Sequence, residues 1–227
     1  MHGTPHIVGD VMTHAVVSVR RATRFRELVR IMWDRQVSAL PVLDGGGRVT
    51  GIVSEADLLP KEEFRAVPPG HTTLLRRRAD VAKAEAATAR DLMTSPAITV
   101  SPDTTLAAAA RTMAQERIKR LPVVDEQGVL VGIVSRVDLL KVFLRDDEEI
   151  AEEVRREVVS YLFPAPGSTV WVQVHGGIVT VRGRVGDPDL LPAVARLARA
   201  VEGVVDVEFA DMWLPSAEAP GPACPPY

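Results

Sequence analysis

Two stretches of the sequence match each other: LPVLDGGGRVTGIVSEADLL at residues 40–59 and LPVVDEQGVLVGIVSRVDLL at residues 121–140. At a shift of 81 residues the match extends without a gap over residues 9–59 and 90–140, with 19 identities in 51 positions. It begins at an Asp-x-Met-Thr motif that both copies share. Internal similarity over this length indicates a duplicated structural unit.

Each copy has the pattern of a β-α-β-β-α unit. A short apolar strand, Val16–Val19 in the first copy and Ile98–Val100 in the second, is predicted before an amphipathic helix. In the second copy Ser101 and Pro102 suit the N-cap and the first position of that helix. The apolar positions that fall at helical spacing are Leu106, Ala110, Met113 and Ala114. Two apolar strands and a last helix complete the unit.

The motifs at the start, middle and end of each copy resemble the signature of CBS domains: Asp-x-Met-Thr, Leu-Pro-Val-x-Asp and Gly-Ile-Val-Ser-x-x-Asp-Leu-Leu. Two such domains in tandem resemble a Bateman module, an α/β (α+β) fold whose paired sheets leave clefts for adenosine-containing ligands. We predict CBS domains at residues 7–60 and 88–145, with a partly helical linker at residues 61–87. Within the linker Pro68-Pro69-Gly70 breaks regular structure, whereas Ala79–Arg90 is alanine-rich and favours helix.

The pattern changes after the second copy. Its spacing predicts a helix over Asp147–Leu162, a hairpin that turns at His175-Gly176-Gly177, a second helix over Asp187–Val201 and a third strand over Val204–Phe209. This α-β-β-α-β order resembles a BON domain, which we predict at residues 146–214.

Composition and charge argue against several classes of function. Of the 227 residues 46% are hydrophobic and 25% charged, which is typical of a globular protein, and the net charge of −3 gives no sign of nucleic-acid binding. The sequence has no long apolar run and no secretion signal, so we predict a cytoplasmic protein. Between Asp147 and Asp211 twelve acidic residues outnumber six basic ones, so membrane binding is not expected. Residues 215–227 hold five prolines and are predicted to be disordered.

A Ser-x-x-Asp motif, Ser54/Asp57 and Ser135/Asp138, stands where the last helix of each copy begins. One interpretation is a capping box, in which both side chains satisfy the backbone of the helix N-terminus. The other is a ligand site, because an aspartate beside a helix N-terminus can accept hydrogen bonds from ribose hydroxyls. In CBS domains the matching aspartate contacts ribose. Glutamate serves capping equally well, so aspartate in both copies favours the ligand interpretation.

The residues before each Leu-Pro differ between the copies. Lys119 and Arg120 stand there in the second copy, whereas Ser38 and Ala39 stand there in the first. CBS nucleotide sites often hold basic residues at this point, and arginine can bind a phosphate with two parallel hydrogen bonds. The alternative is a solvated basic helix end. The two clefts are therefore expected to differ.

These observations predict a non-enzymatic sensor that needs no cofactor or metal and binds AMP, ADP or ATP as a regulatory ligand. We expect a homodimer that relays occupancy to the BON domain or to an unknown protein effector. One alternative is an interaction or scaffolding protein with vestigial CBS clefts, and another is a sensor of S-adenosylmethionine or NAD. The predicted nucleotide-binding residues are Val17, Ser38, Leu40, Pro41, Ser54, Asp57, Ile98, Lys119, Arg120, Leu121, Pro122, Ser135 and Asp138.

Each group of these residues has an expected role. Ribose is expected on Asp57 or Asp138, and the phosphates near Lys119 and Arg120. Adenine is expected between apolar side chains, namely Val17, Leu40, Ile98 and Leu121.

Overall fold

The computed structural model describes residues 7–65, 78–163, 169–185 and 187–213. Within these ranges the chain forms two compact units, one over Ile7–Leu139 and one that begins at Leu140. The predicted break at Pro68-Pro69-Gly70 and the predicted disorder of residues 215–227 lie outside the described residues. None of the described helices combines the length and the apolar character needed to cross a membrane.

The first copy of the repeat forms a three-stranded sheet with helices beside it. Its elements are α1 (Val8–Val11), β1 (Val19–Arg20), α2 (Phe25–Arg35), β2 (Ala39–Leu43), β3 (Val49–Ser54), α3 (Glu55–Leu58) and α4 (Pro60–Glu63). β1 pairs in parallel with β2, which pairs antiparallel with β3. The Asp44 carboxylate closes the β2–β3 turn by accepting hydrogen bonds from the N–H groups of Gly46 and Arg48, at 2.8 and 2.9 Å. The predicted strand over Val16–Val19 is reduced to Val19–Arg20.

A helix of the connecting segment and the first helix of the second copy both pack on the first copy. They are α5 (Arg78–Glu85) and α6 (Ala89–Leu92), where the alanine-rich stretch predicts helix. Leu92 is fully buried and belongs to the same core cluster as Leu28 of α2 and Leu40 of β2. Burial of an aliphatic side chain of this size stabilises the fold by about 1.5–3 kcal/mol. The first helix of the second copy therefore completes the core of the first copy.

The second copy repeats the order with one shortened strand. Its elements are α7 (Leu106–Gln115), β4 (Arg120–Val124), β5 (Leu130–Ser135) and α8 (Arg136–Leu139). Of the strand predicted over Ile98–Val100, only Val100 pairs, in one parallel bridge with Val123. Leu106, Ala109 and Met113 form the buried face of α7. The prediction that Ala110 and Ala114 share this face is wrong, because both are exposed.

The predicted start of α7 is also wrong. Thr105, not Ser101, is the N-cap, and its hydroxyl accepts a hydrogen bond from the N–H of Ala108 at 3.3 Å. Ser101 instead accepts one from the N–H of Asp103 in a turn before the helix. The carbonyls of Pro102 and Thr104 accept hydrogen bonds from the backbone at α1, each at 2.8 Å. This pairing with α1 holds residues 101–104 outside the helix.

The segment at the start of each copy, which carries the Asp-x-Met-Thr motif and which we call the leading segment, pairs with a strand of the other copy. Thr13 of the first copy pairs antiparallel with Ile133 on β5 of the second, and Thr94 of the second copy pairs with Ile52 on β3 of the first. Both pairs carry two backbone hydrogen bonds of 2.9–3.1 Å. The shift of 81 residues maps one pair onto the other, so the unit Ile7–Leu139 has an internal two-fold relation.

Two glycines permit this exchange. At Gly51 a Cβ atom would lie 2.6 Å from the Sδ atom of Met93 and 2.9 Å from the carbonyl oxygen of Thr94. At the equivalent Gly132 it would overlap the Sδ atom of Met12. The methionine of each Asp-x-Met-Thr motif therefore packs against the glycine of the Gly-Ile-Val-Ser motif in the other copy.

The second compact unit has the predicted α-β-β-α-β order. Its elements are α9 (Asp147–Val154), a π-helical turn (Arg155–Val159), α10 (Ser160–Leu162), β6 (Thr169–His175), β7 (Ile178–Arg184), a 3₁₀ turn (Pro188–Leu190), α11 (Leu191–Ala198) and β8 (Asp206–Trp213). β7 is the central strand, antiparallel to β6 and parallel to β8. The third strand begins later and runs further than the predicted Val204–Phe209.

One carboxylate ties the first helix of this unit to its hairpin. Gly176 and Gly177 have φ values of 57° and 75°, as a tight turn between twisted strands requires. Their N–H groups donate to Asp147 at 2.8 and 2.9 Å. These two hydrogen bonds lower the pKa of the Asp147 carboxyl, and the larger effect comes from the N–H group of Gly177. The charged form of Asp147 therefore stabilises the contact between α9 and the β6–β7 turn.

Candidate functional site

Both Ser-x-x-Asp motifs form capping boxes at short helices. At α3 the N–H and the hydroxyl of Ser54 donate to Oδ2 of Asp57, at 2.7 and 2.8 Å. At α8 the same groups of Ser135 donate to Oδ2 of Asp138, at 2.9 and 2.6 Å. The capping interpretation is thus confirmed in both copies. It occupies one oxygen of each carboxylate and fixes the direction in which that carboxylate points.

A cavity of about 200 Å³ lies where the two copies meet, and Asp138 is part of its lining. The first copy supplies Thr13, Ala15, Val16, Val17, Gln36, Val37 and Ala39, and the second copy supplies Arg120, Ile133, Ser135 and Asp138. The apolar wall thus comes mostly from one copy and the polar end from the other. Neither copy alone encloses this cavity, which we call the Asp138 cleft.

Several residues predicted for the site meet in the Asp138 cleft. Val17, Arg120, Ser135 and Asp138 all line it. The Arg120 guanidinium also contacts the hydroxyl of Ser38, so the cation from the second copy reaches across to the first. The position before the second Leu-Pro motif therefore does deliver a basic side chain to a cleft.

Other predicted residues lie elsewhere. Lys119 is exposed and is not part of the lining of the Asp138 cleft. Ile98, the counterpart of Val17, is 38% exposed. Four residues are buried in β2 and β4 and do not line the Asp138 cleft: Leu40, Pro41, Leu121 and Pro122.

Sequence reasoning missed some of the lining. Thr13 and Ile133 belong to the repeated motifs, so the motif spacing carried a signal for them. Gln36 carried none. It ends α2 with a left-handed φ of 51°, without the glycine that often marks such a helix end. The backbone then turns sharply, and Val37 enters the cleft wall.

Asp57 has a different environment. It is 7% exposed, and its Oδ1 atom forms an ion pair with Nζ of Lys83 on α5. Lys61 holds the same helix by donating to the carbonyl of Ala84 at 2.8 Å, and its ammonium group lies 5.1 Å from the centre of the Phe25 ring. Sequence reasoning missed Lys83, which lies outside the repeat.

A second, wider cavity of about 650 Å³ lies along α2, α3 and α4. Its apolar lining includes Phe25, Val29, Met32, Trp33, Leu58 and Leu59. Trp33 is 83% exposed. This apolar groove shares Gln36, Val37 and Arg120 with the Asp138 cleft.

In the part of the chain that the structure describes, no three His, Cys, Asp or Glu side chains lie together as metal ligands would.

Family models match most of the chain. The CBS domain model matches residues 8–61 and 89–145, and the BON domain model matches residues 146–209. MJ1426, an uncharacterized protein of Methanocaldococcus jannaschii, is 30% identical over 160 residues, which cover 63% of this chain and 95% of that protein. The chloroplastic CBS domain-containing protein CBSX2 of Arabidopsis thaliana is 28% identical over 157 residues. That match covers 63% of this chain and 66% of the plant protein, just under two thirds of its length.

The architecture also matches a solved structure. The crystal structure of CBSX2 in complex with AMP is similar with a TM-score of 0.54 at 30% identity, over 61% of this chain and 97% of that chain. The duplicated unit with exchanged leading segments and the α-β-β-α-β unit that follows agree with the family models. The chain therefore belongs to the CBS-domain family and carries two CBS domains, arranged as a Bateman module, followed by a BON domain.

Proposed function

We propose that this protein is a non-enzymatic sensor that binds AMP in the Asp138 cleft. The observation that carries the proposal is the convergence of an apolar wall, a cation and a carboxylate on one cavity between the two CBS domains. These three groups match the base, the phosphate and the ribose of a nucleotide. The similarity to CBSX2, whose structure holds AMP, supports the same choice of ligand.

Each part of the nucleotide has a counterpart in the cleft. Val17 and Ile133 offer apolar surface to adenine, and the Asp138 carboxylate accepts hydrogen bonds from the ribose hydroxyls. Arg120 binds the phosphate, because a guanidinium can donate two parallel hydrogen bonds to phosphate oxygens. Ser38, which the guanidinium contacts, holds Arg120 in reach.

The charge of the cleft favours one phosphate over three. Among its lining residues Arg120 is the one that carries a positive charge. Lys119, which was expected to add a second, is exposed and does not belong to this lining. A single guanidinium offsets more than half of the charge of about −1.5 on one phosphate group and much less of the charge of a triphosphate, so AMP fits this cleft better than ATP does.

Isothermal titration calorimetry on the full chain, freed of bound nucleotide, tests the proposal. AMP, ADP, ATP, adenosine, S-adenosylmethionine and NAD are compared under one buffer condition, and AMP is expected to bind most tightly. Preference for S-adenosylmethionine or NAD would instead identify a sensor of another adenosyl ligand. Absence of binding by every compound would favour an interaction protein with vestigial clefts.

The proposal includes a relay to the BON domain or to a protein effector. A ligand that contacts both CBS domains changes the balance between their relative placements, and such a change can pass to a neighbouring domain. Hydrogen exchange of residues 169–213 with and without AMP tests the relay. We expect AMP to change the protection of these strands, and identical protection would rule the relay out.

The proposal also includes a homodimer in which a second copy of the chain covers the apolar groove. Trp33, Leu59 and Val29 are 83%, 64% and 43% exposed there. At the positions equivalent to Val29 and Trp33, the second CBS domain exposes Ala110 and Ala114. The bulky face of one domain therefore fits the flat face of the other.

Charge supports the same pairing of the first domain of one chain with the second domain of its partner. Glu55 and Arg136 are equivalent in the repeat, as are Arg35 and Glu116, and all four are exposed. Each equivalent pair reverses its sign, so contacts between unlike domains bring opposite charges together.

Size-exclusion chromatography with light scattering tests the dimer. We expect a dimer for the wild type and a monomer for Trp33→Glu. Trp171→Glu, at a 59% exposed tryptophan of the BON domain, is the matched control and is expected to remain dimeric. A monomeric wild type would overturn this part of the proposal.

A further inference from the structure

One charged side chain lines both cavities of the CBS pair. Arg120 belongs to the lining of the Asp138 cleft and to that of the apolar groove. The other two described residues that both linings share, Gln36 and Val37, are uncharged. Lys119, directly before Arg120, lines neither cavity. Among the described lining residues, Arg120 is thus the shared group whose charge both a ligand and a covering surface would meet.

The guanidinium of Arg120 is held at the groove by a hydroxyl and not by a carboxylate. It donates a hydrogen bond to Ser38, which lines the groove but not the cleft. Within the part of the chain that the structure describes, no aspartate or glutamate forms an ion pair with Arg120. The nearest contact of this cation is therefore neutral, and its positive charge is not offset there.

Ser38 also connects Arg120 to the wall of the groove. Its carbonyl accepts a hydrogen bond of 3.1 Å from the N–H of Glu55, the first residue of α3. Leu58 of α3 and Leu59, which follows it, both line the groove. A single residue thus joins the guanidinium to the helix that a second copy of the chain would cover.

We infer that Arg120 couples AMP binding to dimerisation, so that AMP in the Asp138 cleft strengthens the dimer formed across the apolar groove. This inference rests on the proposed function, since it names the regulation of that same site. When a second copy covers the groove, it removes water from around the guanidinium, which costs free energy unless the charge is paired. A phosphate in the cleft supplies the opposite charge from the other side.

The dimer dissociation constant of the full chain, measured by sedimentation equilibrium, tests the inference. It is compared without ligand, with saturating AMP and with saturating adenosine. We expect AMP to lower it by at least about fivefold, the lower end of typical couplings between two sites. Adenosine has no phosphate and should leave it unchanged. An equal effect of both ligands would overturn the role of Arg120.

Removal of the charge should replace the effect of AMP. Arg120→Met keeps much of the length of the side chain without its charge. Without ligand, this variant should form a dimer at least about fivefold tighter than the wild type, and AMP should tighten it no further. Lys119→Met, the matched control, should have the dimer constant and the AMP response of the wild type. A folded Arg120→Met chain with the dimer constant of the wild type would overturn the inference.

The coupling is reciprocal, so the dimer must bind AMP more tightly than the monomer by the same factor. Trp33 lines the groove but not the Asp138 cleft. The monomeric Trp33→Glu chain should therefore bind AMP at least about fivefold more weakly than the dimeric wild type in calorimetry. Trp171→Glu should bind it as the wild type does. This measurement does not depend on the folding of Arg120→Met, and equal affinities of monomer and dimer would overturn the inference.

Failure of the inference differs from failure of the proposed function. AMP that binds without changing the dimer constant would overturn the coupling and leave the nucleotide site in place. A wild type that binds no AMP would refute the proposed function and the coupling together. A wild type that stays monomeric would refute the proposed dimer and, with it, the coupling.

Discussion

Asp57 and Asp138 belong to copies of the same motif and differ in what surrounds them. Each aspartate accepts two hydrogen bonds from its own serine and caps a short helix. Asp57 is then covered by Lys83 from the connecting segment, whereas Asp138 lines a cavity that Arg120 also lines. The duplication thus produced two equivalent frames, and residues that the duplication did not copy distinguish them.

A second difference concerns one pair of equivalent positions. Ala39 and Arg120 occupy the first position of β2 and β4, and they correspond in the repeat. Ala39 is 6% exposed, whereas Arg120 crosses to Ser38 and lines the Asp138 cleft. A single substitution between the copies therefore gives one cleft its cation.

Removal of either aspartate is expected to have the largest effect. Asp138→Ala should weaken AMP binding by about 1.5–3 kcal/mol, the scale of hydrogen bonds to a charged group. Asp57→Ala, its matched control, should leave the AMP affinity unchanged within about twofold. It should instead lower the free energy of unfolding by about 1–3 kcal/mol, because it removes a cap and strands the Lys83 charge.

Calorimetry gives the affinities and urea unfolding gives the stabilities of these two variants. Equal losses of AMP affinity from both substitutions would show that the two aspartates have the same role in binding. If both variants kept the AMP affinity of the wild type but were less stable, the two motifs would serve only as helix caps.

Alanine at the two repeated glycines tests the exchange of leading segments. Gly51→Ala should lower the free energy of unfolding by about 2 kcal/mol, because its Cβ meets a backbone oxygen, that of Thr94, at 2.9 Å as well as the Met93 side chain. Gly132→Ala should cost about 1 kcal/mol, since the end of the Met12 side chain can rotate away.

Urea unfolding measures both glycine variants. The double variant Met12→Ala/Gly132→Ala should recover part of the cost of the added methyl group. If neither glycine substitution lowered the stability, the close approach between the copies would be refuted.

Substitution of the two adjacent basic residues separates the phosphate contact from general charge. Arg120→Ala should weaken AMP binding about tenfold, or about 1.4 kcal/mol, and leave adenosine binding unchanged. Lys119→Ala, the matched control, should change neither affinity, because Lys119 does not line the cleft. Calorimetry with both ligands tests this, and equal losses for AMP and adenosine would assign Arg120 to the fold instead of the phosphate.

The smallest expected effect concerns pH and the turn of the first CBS domain. Hydrogen bonds from the N–H groups of Arg48 and Gly46 lower the pKa of Asp44 from its ordinary value of 3.8. A carboxyl with a lowered pKa in the folded state stabilises the fold above the ordinary pKa, and this contribution is lost as the pH falls through the lowered pKa. Urea unfolding between about pH 5 and pH 3 should show a smaller loss of stability for Asp44→Asn than for the wild type.

Asp125 accepts the same two backbone hydrogen bonds in the second turn, at 2.9 and 2.8 Å, so Asp125→Asn is the equivalent substitution in the other copy. An acid dependence in Asp44→Asn identical to that of the wild type would contradict the role of the charge in this turn.

Features whose hydrogen bonds form between residues close together in the sequence were predictable from the sequence. The Ser54–Asp57 and Ser135–Asp138 capping boxes are closed by neighbours along the chain, so a short motif carries the whole signal. The helix start at α7 was mispredicted for the opposite reason. Ser101 and Pro102 suit an N-cap and a first helical position locally, but the carbonyls of Pro102 and Thr104 accept backbone hydrogen bonds from α1, far away in the sequence.

The residues that line the Asp138 cleft, and the residue that pairs with Asp57, could not be predicted from short motifs. A site list built on the Leu-Pro-Val strands included Leu40 and Leu121, which are fully buried, and omitted Gln36 and Lys83. The alternation of residues in the strands predicts that these leucines are buried. It does not predict which face of the sheet the other copy covers. Gln36 and Lys83 belong to no repeated motif, so their places depend on contacts alone.

The sequence alone thus indicated the duplication, the main strands and helices of the three domains, and the Ser-x-x-Asp motif that caps a helix in each CBS domain. Tertiary packing determined that each copy lends its leading segment to the other, that Arg120 joins Asp138, and that Lys83 covers Asp57. The physical reason is distance along the chain. Capping, turns and amphipathic faces are encoded within about one helical turn, whereas a cleft is made of side chains that meet only after both copies have packed.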